Sequence, residues 1–523
     1  MILRDTVKNN RVSPGPRLAS ACWNVALHLL VFAFLSAASV RAGDPSAPVG
    51  VRLDVNASRD AISTNFIGLS FEASLLLPNK DGVRYFRPDN RVVIDLFRTL
   101  GVKSLRIGGN TSDRDARQLP GPQDWDSLFA FAEKAGVKVT YCLQLCRGDR
   151  NVAVATVEYI MARYAPLVDS FSIGQEPSAY PIGPVDDRPM HARMGPAAEK
   201  YTYPDFAREW KQFADAIIAA VPNVRLSGPA VHNDPHWATR FIADFGQSNN
   251  VSMLLMHLYP GGPGTQVPSP EFGRQQMLSP EFIQVYQRLY DGFVPLARSK
   301  GFSYRLEEVN NYYYGGAPNV SSTFAAALWG LDFMHWWANH DAAGLNFHTG
   351  DQVAAGSTMT PSKYTAFYSL SGGVMVRPLG YGIKAFELGG KGRPLDLTLD
   401  NPQGLNLSVY PVLGEDKKLY VTIINKENGA NARSASLALE FVGRRFTSAD
   451  AIHLVSPNGN LAASEGVTLG GAEITTDATW KGEWTSLPSE TELAQGRLKL
   501  EVPAASAIIL RLSGGKATVL SSN

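Results

Sequence analysis

Two segments of this chain end in acids that could act together. Phe171-Ser172-Ile173-Gly174-Gln175-Glu176-Pro177 is a short apolar run closing on a carboxylate, and Tyr304-Arg305-Leu306-Glu307-Glu308-Val309-Asn310 is another. Cleavage of a glycosidic bond needs such a pair, because one carboxylic acid protonates the leaving oxygen while a second carboxylate attacks the sugar carbon or activates water. Either acid alone is more often a solvated loop residue or a helix-cap partner, so the reading rests on the pair. Pro177 pushes Glu176 toward extended backbone, which sets where its side chain leaves the strand. Glu307 and Glu308 compete for the second role, and strict alternation of side chains lets only one face inward. Glu308 is the choice, because Glu308-x-Asn310 runs into a polar, aromatic loop, Tyr312–Gly316.

Other run ends carry polar residues that suit a sugar. Glu72 closes the first run, Arg106 and Asn110 flank the second, and His257 and Tyr259 close the sixth. Arg106 is expected to face inward as the counter-charge that keeps a nucleophilic carboxylate ionised. No third ligand at short spacing accompanies His257 and His348, so no metal is expected. Trp336 and Trp337 fall within a helical pattern and read as packing. Tyr312, Tyr313 and Tyr314 are consecutive and cannot all be buried on one face, so at least one should be exposed in the cleft.

These residues can converge only if the strands bring their ends together. The runs Phe66–Glu72, Val102–Gly108, Val137–Leu145, Ser170–Gly174, Val224–Gly228, Met253–Leu258, Ser303–Glu308 and Gly344–His348 alternate with stretches of helical period. Eight such units predict a (β/α)8 TIM barrel over residues 62–375, with reactive groups at the carboxyl ends of the strands. An open doubly wound sheet would want a glycine-rich phosphate loop after an early strand, and Gly108-Gly109 does not make one. Beyond Tyr381 the texture becomes short strands separated by Asn-Pro and Asn-Gly turns, predicting an antiparallel β-sandwich over 380–515. An N-terminal strand within residues 47–60, centred on Val51–Val55, is expected to join that sandwich.

Composition fits this plan. The 523 residues carry 49 basic and 48 acidic side chains, a balance without the basic runs that phosphate-based nucleic-acid binding requires. Three cysteines exclude a disulfide scaffold or a four-thiolate metal centre. Arg4, Lys8, Arg11 and Arg17 precede an apolar run, Val25–Ala38, and a small-x-small pattern at Val40-Arg41-Ala42. Residues 1–42 therefore read as an export signal cleaved after Ala42, which implies a secreted or periplasmic protein with no membrane attachment after cleavage. Cys142 and Cys146, the cysteines that remain, are read as core or rim thiols.

At this point the residues resemble a known family. Leu105-Arg106-Ile107-Gly108-Gly109-Asn110, Ile67-Gly68-Leu69-Ser70-Phe71-Glu72, Glu308-x-Asn310 with its Tyr-Gly-Gly loop, and Val467-Thr468-Leu469-Gly470-Gly471 look like glycoside hydrolase family 79, which contains β-glucuronidases and heparanases. The likeness runs from about Ser46 to Leu512. It implies an exo-acting, retaining β-glucuronidase without cofactor, acting on a glucuronide-containing carbohydrate. In that resemblance Glu176 is the general acid/base and Glu308 the nucleophile. Tyr313 with the backbone of Gly315 and Gly316 would hold the sugar carboxylate, Tyr259 would bond the nucleophile, and Glu72 and Asn110 would take sugar hydroxyls. Gln175 departs from the Asn usual before the acid/base, which puts the contact to the 2-hydroxyl in question. Two other readings of the same scaffold are an endo-acting heparanase-like enzyme and a non-catalytic glycan-binding protein. Retention of both acids favours an enzyme. The charge of −3 left after removal of residues 1–42 (+1 − 4) speaks against a cleft for a sulfated polyanion.

Overall fold

The computed structural model describes residues 47–180, 201–350, 361–488 and 490–515. The expected export signal, residues 1–42, and most of the loop after Tyr180 lie outside them. Strand β1 (Val49–Ser58) comes first. Eight parallel strands follow: β2 (Ile67–Glu72), β3 (Ser104–Gly108), β4 (Lys138–Leu143), β5 (Val168–Ile173), β6 (Leu226–His232), β7 (Val251–Leu258), β8 (Ser303–Val309) and β9 (Gly344–His348). They pair in chain order and close, β9 against β2, into the predicted barrel. The strands are buried on both faces, with Leu69, Phe71, Leu105 and Ile107 on one side alternating with the buried polar Ser70 and Arg106 on the other. No described helix is long and apolar enough to cross a membrane.

The crossover helices begin where the sequence supplies caps. Asp149 accepts from the amide of Asn151, Ser269 from that of Phe272, and Thr202 forms a capping box with Asp205 ahead of Tyr203–Ala220. Helix Phe324–Ala338 has every residue buried and is apolar but for Asp332 and His335, because it lies between the barrel and the second layer system. A hairpin of β10 (Phe367–Leu370) and β11 (Gly373–Val376) and helix Pro378–Gly389 complete the barrel side. That helix packs along Phe324–Ala338, with Phe386 stacked on Phe66.

The sandwich comprises β12 (Arg393–Asp400), β13 (Leu407–Leu413), β14 (Leu419–Asn425), β15 (Ala435–Val442), β16 (Ser448–Val455), β17 (Thr468–Leu469), β18 (Thr485–Ser486), β19 (Arg497–Val502) and β20 (Ser506–Ser513). The sheet path runs β17-β16-β20-β14-β13-β12-β1-β15-β19 and folds over on itself at β12, which bonds β13 at its start and β1 at its end. Leu53, Val421, Leu437, Phe441 and Leu510 fill the space between the layers. β1 joins this sheet as expected, antiparallel to β12 but parallel to β15. The sandwich is thus mixed at one seam, since β1 arrives from the far end of the chain and no hairpin dictates its direction. Across the junction with the barrel, Lys426 Nζ binds Asp332 Oδ2 at 2.8 Å and Tyr410 donates to Asp332 Oδ1 at 2.7 Å.

Candidate active site

The carboxyl ends of β3, β5, β7 and β8 meet in one buried polar cluster. Glu308, on β8, accepts from Arg106 Nη1 at 2.7 Å and Gln175 Nε2 at 3.0 Å on one oxygen, and from the Tyr259 hydroxyl at 2.9 Å on the other. Burial alone would raise its pKa, but the charges of His348, His257 and Arg106 and the Tyr259 hydrogen bond hold Glu308 well below the usual carboxylate range. Arg106 is fully buried on β3, as expected of a counter-charge, and also donates to Ser70 and Gln175. Gln175 thus bridges Arg106 and the nucleophile candidate.

Glu176 follows β5 in a left-handed conformation, φ 47°, not the extended one expected ahead of Pro177. Proline excludes the right-handed helical region for its predecessor. Here the bend begun at Gly174, φ 93°, is completed by the left-handed alternative, and the Glu176 amide donates to Ala230 at 2.9 Å. Strain of about 1–3 kcal/mol in such a residue is typical of a constrained functional site. The Glu176 carboxylate accepts from Arg114 Nη2 at 3.1 Å, and its other oxygen meets His257 Nδ1 at 3.2 Å. Burial, which would raise its pKa, is outweighed by the His257 hydrogen bond and the Arg114 charge, leaving it at about 2.

Both glutamates of β8 reach this cluster, which corrects the expectation that only one could. Met256 pairs with Leu306 but His257 pairs with Glu308, so Glu307 is the extra residue of a bulge and alternation fails there. Glu307 is fully buried, with one oxygen 3.3 Å from His257 Nε2 and the other 3.6 Å from Arg106 Nε. His257, lowered by burial but raised more by Glu308, Glu176 and Glu307, is pushed up to about 9.

The remaining predicted residues line the rim. Glu72 accepts from Thr111 and from the Asn110 amide and lies 3.6 Å from His348, while the Asn110 side-chain oxygen accepts from Arg114 at 2.6 Å. Tyr312 is buried, Tyr313 half-buried against Tyr259 and His232, and Tyr314 exposed, as three consecutive aromatics required. Gly315 and Gly316 have φ of 74° and 89°, and their amides have no backbone acceptor among the described residues. Cys142 and Cys146 are free thiols. One nitrogen of His257 and one oxygen each of Glu176 and Glu308 lie within 4.8 Å of one another. The donor set suits a proton better than a metal ion, because Arg106 and Arg114 already neutralise the same two carboxylates.

Sequence reasoning missed the site roles of Arg114 and Asp113. Arg114 follows the second run in a loop whose path no spacing encodes. Asp113 is buried and accepts from the amides of Leu145, Cys146 and Gln175 and from the Tyr180 hydroxyl, tying the loops after β3, β4 and β5 together.

The architecture is a closed (β/α)8 barrel carrying a β-sandwich, and its mouth brings two glutamates and a histidine together. No family model matches the chain. A curated β-glucuronidase of Aspergillus niger is 24% identical over 304 residues, covering 50% of this chain and 53% of that protein, so the match spans about half the length of that relative. Among solved structures, the fold is shared with a 4-O-α-L-rhamnosyl-β-D-glucuronidase from Fusarium oxysporum, at a TM-score of 0.66 and 17% identity over 88% of this chain and 99% of that one. A GH51 arabinofuranosidase from Xanthomonas axonopodis gives a TM-score of 0.61 at 15% identity over 89% of this chain and 100% of its own.

Proposed function

We propose that this chain is an exo-acting, retaining β-glucuronidase that removes terminal β-D-glucuronic acid by double displacement. The observation that carries the reading is the pair Glu176 and Glu308, with one oxygen of each within 4.8 Å of the other. Retaining enzymes hold their carboxyl groups roughly 5–5.5 Å apart, whereas a water between sugar and base needs roughly 6.5–9.5 Å. Glu308, ionised beside Arg106, attacks the anomeric carbon while Glu176 protonates the glycosidic oxygen. In the second step Glu176 takes a proton from water, which displaces Glu308. The Tyr259 hydroxyl keeps one Glu308 oxygen aligned, and Gln175 restrains the other. Tyr313 and the amides of Gly315 and Gly316 hold the sugar carboxylate through neutral donors, and Glu72 and Asn110 take hydroxyls. The relatives named β-glucuronidase support the acid sugar. The acidic balance after cleavage at Ala42 speaks against an endo-acting cleft for a sulfated polyanion and so supports exo action, and export through residues 1–42 belongs to the same proposal.

Hydrolysis of aryl β-glucuronide, β-glucoside and β-galactoside by the protein tests the substrate, and a preference for either neutral sugar would overturn it. Proton magnetic resonance of the first-formed sugar tests the stereochemistry. The β-anomer is expected, and initial release of the α-anomer would rule out retention.

A further inference from the structure

Glu307 is fully buried, and double displacement gives it no task. One of its oxygens faces His257 Nε2 at 3.3 Å, while His257 Nδ1 faces Glu176 Oε1 at 3.2 Å. A neutral imidazole carries one N–H, so with a carboxylate oxygen at each ring nitrogen it would aim a lone pair at one of them. The imidazolium donates to both. The second oxygen of Glu307 accepts no hydrogen bond and lies 3.6 Å from Arg106 Nε, whose Nη1 holds Glu308. Glu307 thus stands behind both acids, joined to one through an imidazole and to the other through a guanidinium.

We propose that Glu307 is a positioning residue: it fixes His257 as an imidazolium, whose Nδ1 stores the proton that Glu176 gives to the leaving oxygen and recovers from water. This rests on the double-displacement reading of the site. In the first step the Nδ1–H bond of His257 breaks and an O–H bond forms on Glu176, leaving a neutral ring that still donates from Nε2 to Glu307. Glu176 passes a proton to the glycosidic oxygen as the sugar bonds to Glu308. In the second step Glu176 takes a proton from the attacking water and returns one to Nδ1, so the cluster ends with the protons it began with. The arrangement accounts for an acid that is ionised in the free protein, since the proton it needs waits one hydrogen bond away. The groups that face His257 are Glu176 after β5 and Glu307 and Glu308 on β8. His232 on β6 also interacts with its charge, whereas Arg106, Tyr259 and His348 act on Glu308, Cys142 acts on Arg106, and Arg114 acts on Glu176.

The test uses the whole protein and Glu307→Gln, which keeps the shape and removes the charge. Side-chain nitrogen resonances of His257, assigned by their loss in His257→Gln, should show an imidazolium at neutral pH in the unmodified protein and a neutral ring in Glu307→Gln. This readout needs no substrate, and a neutral ring in the unmodified protein overturns the inference even if Glu307→Gln fails to fold. With an alkyl β-glucuronide, the alkaline limb of kcat/KM for Glu307→Gln should lie at least about one pH unit lower. With a nitrophenyl glucuronide, whose leaving group needs no proton, the loss at alkaline pH should be about tenfold smaller. Superimposable limbs, or equal losses on both substrates at every pH, make Glu307 merely structural and overturn the inference. An imidazolium in a protein that hydrolyses no β-glucuronide would instead remove the function on which the inference stands.

Discussion

At the scale of single residues, the division of labour between the two acids is the sharpest consequence. Glu308→Ala should abolish turnover with every leaving group, because no other carboxylate can form the glycosyl bond. Glu176→Ala should spare activated aryl glucuronides and lose alkyl ones, since a good leaving group departs without a proton. Steady-state rates on the two substrate types decide this, and residual activity in Glu308→Ala would point to Glu307 as nucleophile. Tyr313→Phe removes one neutral donor to a charged acceptor, an interaction of about 1.5–3 kcal/mol. kcat/KM for the glucuronide should fall roughly ten- to a hundredfold, with the glucoside nearly unaffected because it has no carboxylate to lose. Parallel losses on both sugars would mean that the change disturbs Glu308 through the shared loop. The acid pair was legible in the sequence because each acid ends an apolar run whose partners could be counted. The roles of Arg114 and His257 toward Glu176 were not, since both depend on the path of a loop or the depth of a side chain that no spacing encodes.

At the scale of elements, the turns after the strands decide the geometry, and they were the least readable part. The run read from the sequence ends at Gly228, yet the strand continues to His232 and supplies the carbonyl of Ala230 that anchors Glu176. The bulge at Glu307 left no trace either, since Leu306-Glu307-Glu308-Val309 scans as a regular strand end. Asp113 joins three such turns, and burial raises its pKa against the hydrogen bonds from Tyr180 and the amides of Gln175, Cys146 and Leu145. Asp113→Ala should orphan buried amides at roughly 1–3 kcal/mol each, lowering the urea midpoint. It should also cut kcat on alkyl glucuronides more than it changes KM, because the turn bearing Gln175 and Glu176 loosens. An unchanged midpoint would show that water replaces the carboxylate.

At the scale of the molecule, barrel and sandwich are clasped by Asp332 and Lys426. Lys426→Met leaves the Asp332 carboxylate buried without its partner and should cost roughly 3–5 kcal/mol, of which the double change Asp332→Leu, Lys426→Met should recover most. Thermal unfolding of the three variants checks this, and failure of the double change to recover would show that shape rather than charge holds the junction. The pKa of Asp332 is lowered, burial being outweighed by the Lys426 charge and hydrogen bonds from Lys426, Ser408 and Tyr410. A carboxyl lower in the folded than in the unfolded state adds stability that is fully present above its unfolded pKa and lost as pH falls through the folded one. Lys426→Met should therefore flatten the acid limb of stability against pH, read as midpoints across a pH series.

The place of β1 in the sheet also fixes an order of events during synthesis. It leaves the ribosome before the barrel strands, yet its partners β12 and β15 are translated only after the barrel is complete. Until then the side chains of Val49, Val51, Leu53 and Val55, all buried in the finished protein, have nothing to pack against. A chain ending before Arg393 therefore lacks the partners of this strand, and only the last strands let the first one find its place.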